Sequence, residues 1–404
     1  MAEDQKRPLS LLGTIPRTVW VLGFVSMLMD ISSEMIHALL PIYLVTAFGA
    51  SALTVGVIEG IAEATASITK IFSGALSDWL GRRKALAALG YGLAAFTKPV
   101  FPLATSLAAV IAARFIDRVG KGIRGAPRDA LVADLAPPAH RGASFGLRQA
   151  LDTVGAFVGP FVAVGLMAVW GSVQLVFWVA VIPAFLSFLL IVFAVKEPQR
   201  PDGQRVVKMP LGLSELRRLG RTYWLVVAIA ALFTLARFSE AFLTLRAAEL
   251  GTPMALVPLV LVVMNVVYAL SAYPAGALSD RMERTQLLGL GMIVLILADL
   301  ALGVLPGLVG LGLGIALWGL HMGLTQGLFA AMIADSAPAE LRGTAYGLFN
   351  LVSGIAMLLA SLVAGALWDG AGSSLTFTMG AVFAALSLGA LLLAGRHLRA
   401  QPGS

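Results

Sequence analysis

The residues able to do chemistry concentrate in one stretch, Arg114 to Asp134, which reads RFIDRVGKGIRGAPRDALVAD. It holds Arg114, Asp117, Arg118, Lys121, Arg124, Arg128, Asp129 and Asp134. At about 100° per residue, all of these except Asp134 fall within roughly 140° of one helical face. Phe115, Ile116, Val119, Ile123, Ala126 and Ala130 cover the other side. The periodicity predicts a helix with one apolar face and one face turned toward a polar interior. Gly120, Gly122 and Gly125 allow a neighbouring backbone to come close, and Pro127 predicts a bend near the helix end. Two further groups share this character. Asp30, Glu34 and His37 are spaced i, i+4, i+7, and Glu59, Glu63 and Lys70 share that period. Carboxylates crowded together away from water hold protons more readily, so this pattern suits proton binding and release, or the binding of a cation. The competing reading is mutual neutralisation by Arg114, Arg118 and Arg148. Buried pairs add little stability, which favours a functional role. Arg148 and Asp152 form an i, i+4 pair with Gly155 and Gly159 on the same face, and Arg237, Glu240 and Arg246 are the main charges of the second half. Asn265, Asp299, Gln326 and Asn350 read as local hydrogen-bonding residues, and Gly319, Gly323 and Gly327 as a packing seam.

These residues sit in a chain that composition assigns to a membrane. Of its 404 residues 58% are hydrophobic and 13% charged, with a mean hydropathy of +0.88. That is a polytopic membrane protein, so charged side chains within its spans turn inward, pair, and mark a path for a solute or ion. Twelve helical spans are predicted at 18–47, 53–75, 84–103, 106–130, 142–168, 172–195, 221–249, 254–275, 285–303, 307–333, 341–368 and 373–394. The net charge of +7 raises the possibility of nucleic acid, but the distribution speaks against it. Most of the 29 Lys and Arg lie in the N-terminus, alternate loops and the C-terminus, and the rest are inside spans or at their ends. This positive-inside pattern puts both termini in the cytoplasm of an inner-membrane, multi-pass protein. There are no cysteines, so disulfides and thiolate metal sites are excluded. The N-terminus lacks the marks of a removable signal peptide, and the first span is expected to serve as the targeting signal.

The chain is duplicated. GALSDWLGRR at Gly74 to Arg83 recurs as GALSDRMERT at Gly276 to Thr285, and ADLAPPAHRGASFGL at Ala133 recurs as ADSAPAELRGTAYGL at Ala334. Six spans plus six, joined by the polar stretch around Lys196 to Arg221, is the layout of an alternating-access transporter with its site between halves. The expected domains are an N-terminal bundle over 1–195, a cytoplasmic linker over 196–220 and a C-terminal bundle over 221–404.

On these motifs the chain resembles a major facilitator superfamily permease from end to end. Gly74, Leu76, Asp78, Gly81, Arg82 and Arg83 match the signature between the second and third spans. Arg114, followed by Gly120, matches the fourth-span signature, although Asp117 and Arg118 stand where a glutamine and a glycine are usual. That charge-rich form is similar to a bacterial subgroup that includes nickel-resistance and drug-efflux permeases. Gly155, Gly159 and Pro160 resemble half of a fifth-span signature associated with antiporters. The resemblance implies a cytoplasmic charge network that latches the inner face. Its members would be Asp78 with Arg82 and Arg83, and Asp134 with Arg141, with second-half copies Asp280 with Arg284 and Asp335 with Arg342.

The expected activity is proton-coupled efflux of a small solute by antiport, with protons at Asp30, Glu34, Glu63 or Asp152. The wider candidate site takes in His37, Glu59, Arg114, Asp117, Arg118, Arg148 and Glu240. Two alternatives are carried. A divalent metal exporter would use His37 with Asp30, Glu34 or Glu63. A polytopic membrane enzyme would need a motif such as HExxH or a P-loop, and the sequence has neither. No cofactor and no resident metal are expected, and the partners are the bilayer, protons and the solute, with the chain acting as a monomer.

Overall fold

The structure is a computed structural model that describes residues 15–137, 140–196, 218–279, 282–325, 328–338 and 341–399. Among them it is all α. The helices are α1 (Arg17–His37), α2 (Leu40–Phe48), α3 (Ala52–Leu80), α4 (Arg83–Thr97), α5 (Val100–Leu103), α6 (Leu107–Leu135), α7 (Arg141–Trp170) and α8 (Val173–Ala194), then α9 (Arg221–Ala236), α10 (Ala241–Glu249), α11 (Leu259–Ser279), α12 (Arg284–Val304), α13 (Gly307–Thr325), α14 (Leu328–Ser336), α15 (Arg342–Ala371) and α16 (Ser373–Arg399). Eleven segments in the described residues are long and apolar enough to cross a membrane. Helix α6 is not one of them, although it has 29 residues, because its charges exceed what an apolar window tolerates. The protein is an all-α polytopic membrane protein.

Several expected spans are broken. The predicted first span divides into α1 and α2 because the Pro41 ring excludes the helical carbonyl of His37, four residues before it. Pro99 caps α5 and separates it from α4. The seventh span breaks between Ala236 and Ala241 with neither proline nor glycine. There Ser239 replaces helix bonds: its N–H donates to Ser361 Oγ (3.3 Å) and its Oγ accepts from the Ala241 N–H (3.2 Å). Pro127, by contrast, lies inside α6, which runs on to Leu135, past the expected end at residue 130.

The chain forms two compact units. The first comprises Met1–Ile36, Thr69–Val162 and Gln174–Val207, and the second His37–Ile68, Ala163–Val173 and Lys208–Ser404. The expected linker falls outside the described residues except for Lys196 and residues 218–220.

In the first unit, α4 crosses α6 where two glycines meet. A Cβ on Gly90 would lie 2.6 Å from the Gly120 carbonyl oxygen, and one on Gly120 would lie 2.7 Å from that of Gly90. In the same way α7 lies on α1. A Cβ on Gly155 would meet the Met27 carbonyl oxygen at 2.7 Å, and one on Gly159 that of Ile31 at 2.7 Å.

In the second unit the first half of α3 is seated on α15. Gly56 lies against the Ser361 carbonyl, Gly60 against Leu358, Gly354 against Ser67, and Gly365 against Leu53. At the end of this seam the Asp369 carboxylate accepts the N–H of Ala52 through Oδ1 and that of Leu53 through Oδ2, both at 2.9 Å. Those are orphan donors of the first turn of α3, so a side chain from α15 caps α3. Gly319 packs on Met264 and Gly323 on Ser271, as the expected glycine seam requires; Gly327 lies outside the described residues.

Candidate functional site

The polar face of α6 is buried in the first unit. Arg114, Asp117, Arg118 and Arg124 are buried, while Phe115 and Ile116 are exposed at the periphery. Ser106 starts the helix by accepting the Ala109 N–H. Lys121 departs from the expected polar face and is exposed. The glycine crossing with α4 brings in two residues that the sequence reading passed over. Lys98, only 1% exposed, places Nζ 2.9 Å from Asp117 Oδ1 and 3.1 Å from Ser33 Oγ on α1. Arg118 Nε is 3.6 Å from the other Asp117 oxygen. Tyr91 lies under the Arg124 guanidinium at 5.0 Å and reaches Ser26 Oγ at 3.1 Å. The buried carboxylate of Asp117 is therefore held by two cations from different helices.

A second cluster lies further along α6. Arg128 donates to Asp129 through Nε (3.1 Å) and Nη2 (3.0 Å), and to Ser26 Oγ through Nη1 (2.6 Å). Arg148 on α7 pairs with Asp152 and approaches Asp129 at 3.6 Å, and Arg128 approaches Asp152 at 3.8 Å. Two arginines and two aspartates thus tie α6 to α7. The α7 glycines bring α1 against this cluster, since a Cβ on Gly155 would meet Asp30 Cβ at 2.9 Å and one on Gly159 would meet Glu34 Cβ at 2.8 Å. Asp30 has Asp152, Arg124 and Arg128 among its electrostatic neighbours. The predicted Asp30, Glu34, Asp117, Arg118, Arg148 and Asp152 all lie in this unit, with Arg114 on the same helix face as Asp117 and Arg118.

The remaining predicted residues belong to the second unit. His37 Nε2 lies 3.7 Å from Glu59 Oε2, and Glu59 is 1% exposed. Glu63 is half-buried one turn further along α3, and Glu240 is half-buried at the break of the seventh span. No three His, Asp or Glu side chains converge as metal ligands among the described residues. Lone lysines near helix ends carry little sequence signal. What could have drawn attention to Lys98 is that an ionisable residue recurs 201 positions later, at Asp299.

Two ion pairs are seen among the expected gate residues. Arg83 bonds Asp134 at 2.6 Å and the Ala130 carbonyl at 2.8 Å, and Arg284 bonds Asp335 in the same manner. Arg83 and Arg284 are 201 residues apart, as are Asp134 and Asp335. The pairing joins the start of one helix to the end of another, because the helix starting at Arg83 and the helix ending at Leu135 run in opposite directions side by side. Gly74 fits against Ala126, with its Cβ position 3.3 Å away, and Gly81, at φ +66°, makes the left-handed turn into α4. Arg82 and Arg342 are exposed at helix starts. Asp280 and the side chains of Asp78 and Arg141 lie outside the described residues.

The Major Facilitator Superfamily profile matches residues 22–360 and 238–403. An uncharacterized MFS-type transporter of Methanocaldococcus jannaschii is 34% identical over 386 residues, covering 94% of this chain and 95% of that protein. The inner membrane transport protein YajR of Escherichia coli is 26% identical over 396 residues, covering 92% and 82% respectively. Among solved structures, a POT family transporter in complex with 5-aminolevulinic acid superposes with a TM-score of 0.80 at 14% identity, over 95% of this chain and 97% of that one.

Proposed function

The chain belongs to the major facilitator superfamily, and on that premise we propose that it is a secondary transporter of the cell's inner membrane that exchanges protons for a small solute leaving the cell. The observation that carries the proton assignment is the row Asp30–Glu34. The α7 glycines bring the Cβ atoms of both against α7, and Asp30 has Asp152, Arg124 and Arg128 among its electrostatic neighbours, with Arg128 and Arg148 already engaged by Asp129 and Asp152. A carboxylate there has cations within reach and carboxylates competing for them. Such a group changes partner or takes a proton at small cost, which is what coupling requires. In this reading both termini are cytoplasmic, and the halves 1–195 and 221–404 rock about the site through the linker 196–220. The seam of α3 on α15, closed by Asp369, is then the outer gate, and the repeated arginine–aspartate pairs belong to the inner one.

The buried cations Lys98, Arg114, Arg118 and Arg124 favour a solute that carries an anionic group. His37 and Glu59 make a pair, short of the ligand set that a dehydrated divalent ion needs, so metal export is the weaker alternative. Purified protein in proteoliposomes, tested by pH jump against metals, drugs and organic anions, decides. Asp30→Asn and Glu34→Gln are expected to keep counterflow of the transported compound and to lose proton-driven accumulation. Unchanged proton coupling in both variants would remove the assignment. A chemically altered solute would point to an enzyme.

A further inference from the structure

The internal repeat exposes an imbalance. The offset of 201 that carries Arg83 to Arg284 and Asp134 to Asp335 also carries Lys98 to Asp299 and Asp117 to Trp318. In the first unit these positions hold a closed ion pair. In the second the sign of the charge is reversed, and the position equivalent to Asp117 holds a tryptophan. Asp299 is 0% exposed, and neither carboxylate oxygen has a hydrogen-bond partner among the described residues. Its Oδ2 lies where a Cβ on Gly380 would be, 2.6 Å away, and the same position is 3.2 Å from the Phe238 ring. Phe238 packs in turn on Trp318 and Phe377, at centroid distances of 5.7 and 5.4 Å. The surroundings are aromatic, tight, and too small for a solute.

The charged and titratable groups of the helices around Asp299 are engaged elsewhere or carry no bond to it. On α13, His321 is 0% exposed between Phe233 and Trp318 and makes no bond to Asp299. At the break of the seventh span, Arg237 and Glu240 interact with each other, and Tyr268 of α11 lies beside Arg237. On α10, Arg246 donates through Nε to the Leu302 carbonyl and through Nη1 to Glu249 and Ser373 Oγ. Asp335 near the end of α14 holds Arg284, at the far end of α12. Helix α16 has no ionisable side chain between Ser373 and Gly395.

A bare carboxylate in such a place costs several kilocalories, whereas the neutral acid costs far less. We propose that Asp299 is a proton-binding site, carried as the neutral acid within the second unit. The proposal does not depend on Asp30 or Glu34 being the coupling site.

Infrared spectroscopy on the full-length protein in lipid nanodiscs tests it. At neutral pH the wild type is expected to show a protonated-carboxyl carbonyl band that disappears in Asp299→Asn. Its melting temperature should fall as pH rises, because the folded state holds a proton that the unfolded state releases, and this loss should be absent in the variant. The asparagine matches the neutral acid in size, and Asp299→Leu, an apolar replacement with the same number and branching of side-chain heavy atoms, provides a second test of the melt. A band unchanged by Asp299→Asn, or wild type and variants melting in parallel across the pH range, overturns the proposal. If neither variant folds, a wild-type melt that is flat on alkalinisation overturns it, and a decline accompanied by loss of the carbonyl band sustains it. Transport assays on Asp30→Asn are read separately, so either assignment can fail alone.

Discussion

At the scale of single residues the decisive contact is Lys98 with Asp117. Both are buried, so neither can fall back on water when its partner is lost. Lys98→Met is expected to destabilise the protein by about 3–5 kcal/mol, the usual cost of leaving one member of a buried pair behind. Lys98→Met with Asp117→Asn is expected to recover much of that, because the pair is then removed together. Melting of the two single variants and the double variant, arranged as a thermodynamic cycle, measures the coupling. Additive effects would mean that Arg118 alone suffices for Asp117. The sequence made Asp117 legible through its helical face, but it could not show the lysine. A single lysine at the end of an alanine-rich span has no periodicity, and its partner is fixed only when Gly90 and Gly120 let two backbones touch.

At the scale of elements the glycines of α7 set the site. Gly159→Ala would press a methyl group to within 2.8 Å of Glu34 Cβ and 2.7 Å of the Ile31 carbonyl oxygen, forcing α7 away from α1. The expected cost is about 1–3 kcal/mol, with transport reduced because Asp30 and Glu34 move from the arginine cluster. Gly165→Ala, six residues along the same helix with no atom of another element within 4 Å, is expected to leave both melting temperature and transport unchanged. Equal behaviour of the two variants would show that the α1–α7 contact does not position the site. The span pattern and the small-residue face of α7 were legible, because period and residue size are written in the chain. The breaks were legible only in part. Pro41 and Pro99 announce two of them, while the break at Arg237–Glu240 depends on Ser239 meeting Ser361, which is 122 residues away. The motifs named Arg83, Asp134, Arg284 and Asp335 but not that Arg83 meets Asp134 and Arg284 meets Asp335, because those pairs follow which helix ends lie together.

At the scale of the whole molecule the repeat gives each half an arginine–aspartate tie at equivalent positions, while the caps and seams differ. Asp369 closes the α3–α15 seam with two charge-assisted bonds. Asp369→Ala removes both, a loss of about 0.5–2 kcal/mol by analogy with helix caps, which shifts a two-state equilibrium by up to roughly thirtyfold toward separation of the helices. The chain has no cysteine, so Ala52→Cys, at a site 7% exposed, gives a single reporting thiol. Its modification by a water-soluble maleimide should be several-fold faster with Asp369→Ala than without. An unchanged rate would mean that the glycine contacts alone hold the seam.

That seam sets glycines against the main chain and side chains of the facing helix, and this has a bearing on energetics outside the site. When α3 leaves α15, main-chain amides and a strip of glycine-lined helix must be wetted. Separation is therefore a hydration step as much as a mechanical one. Solutes excluded from protein surfaces, such as sucrose, raise the free energy of any newly wetted area. The turnover of this protein should consequently track the osmotic strength of the medium, even for a solute whose binding ignores it.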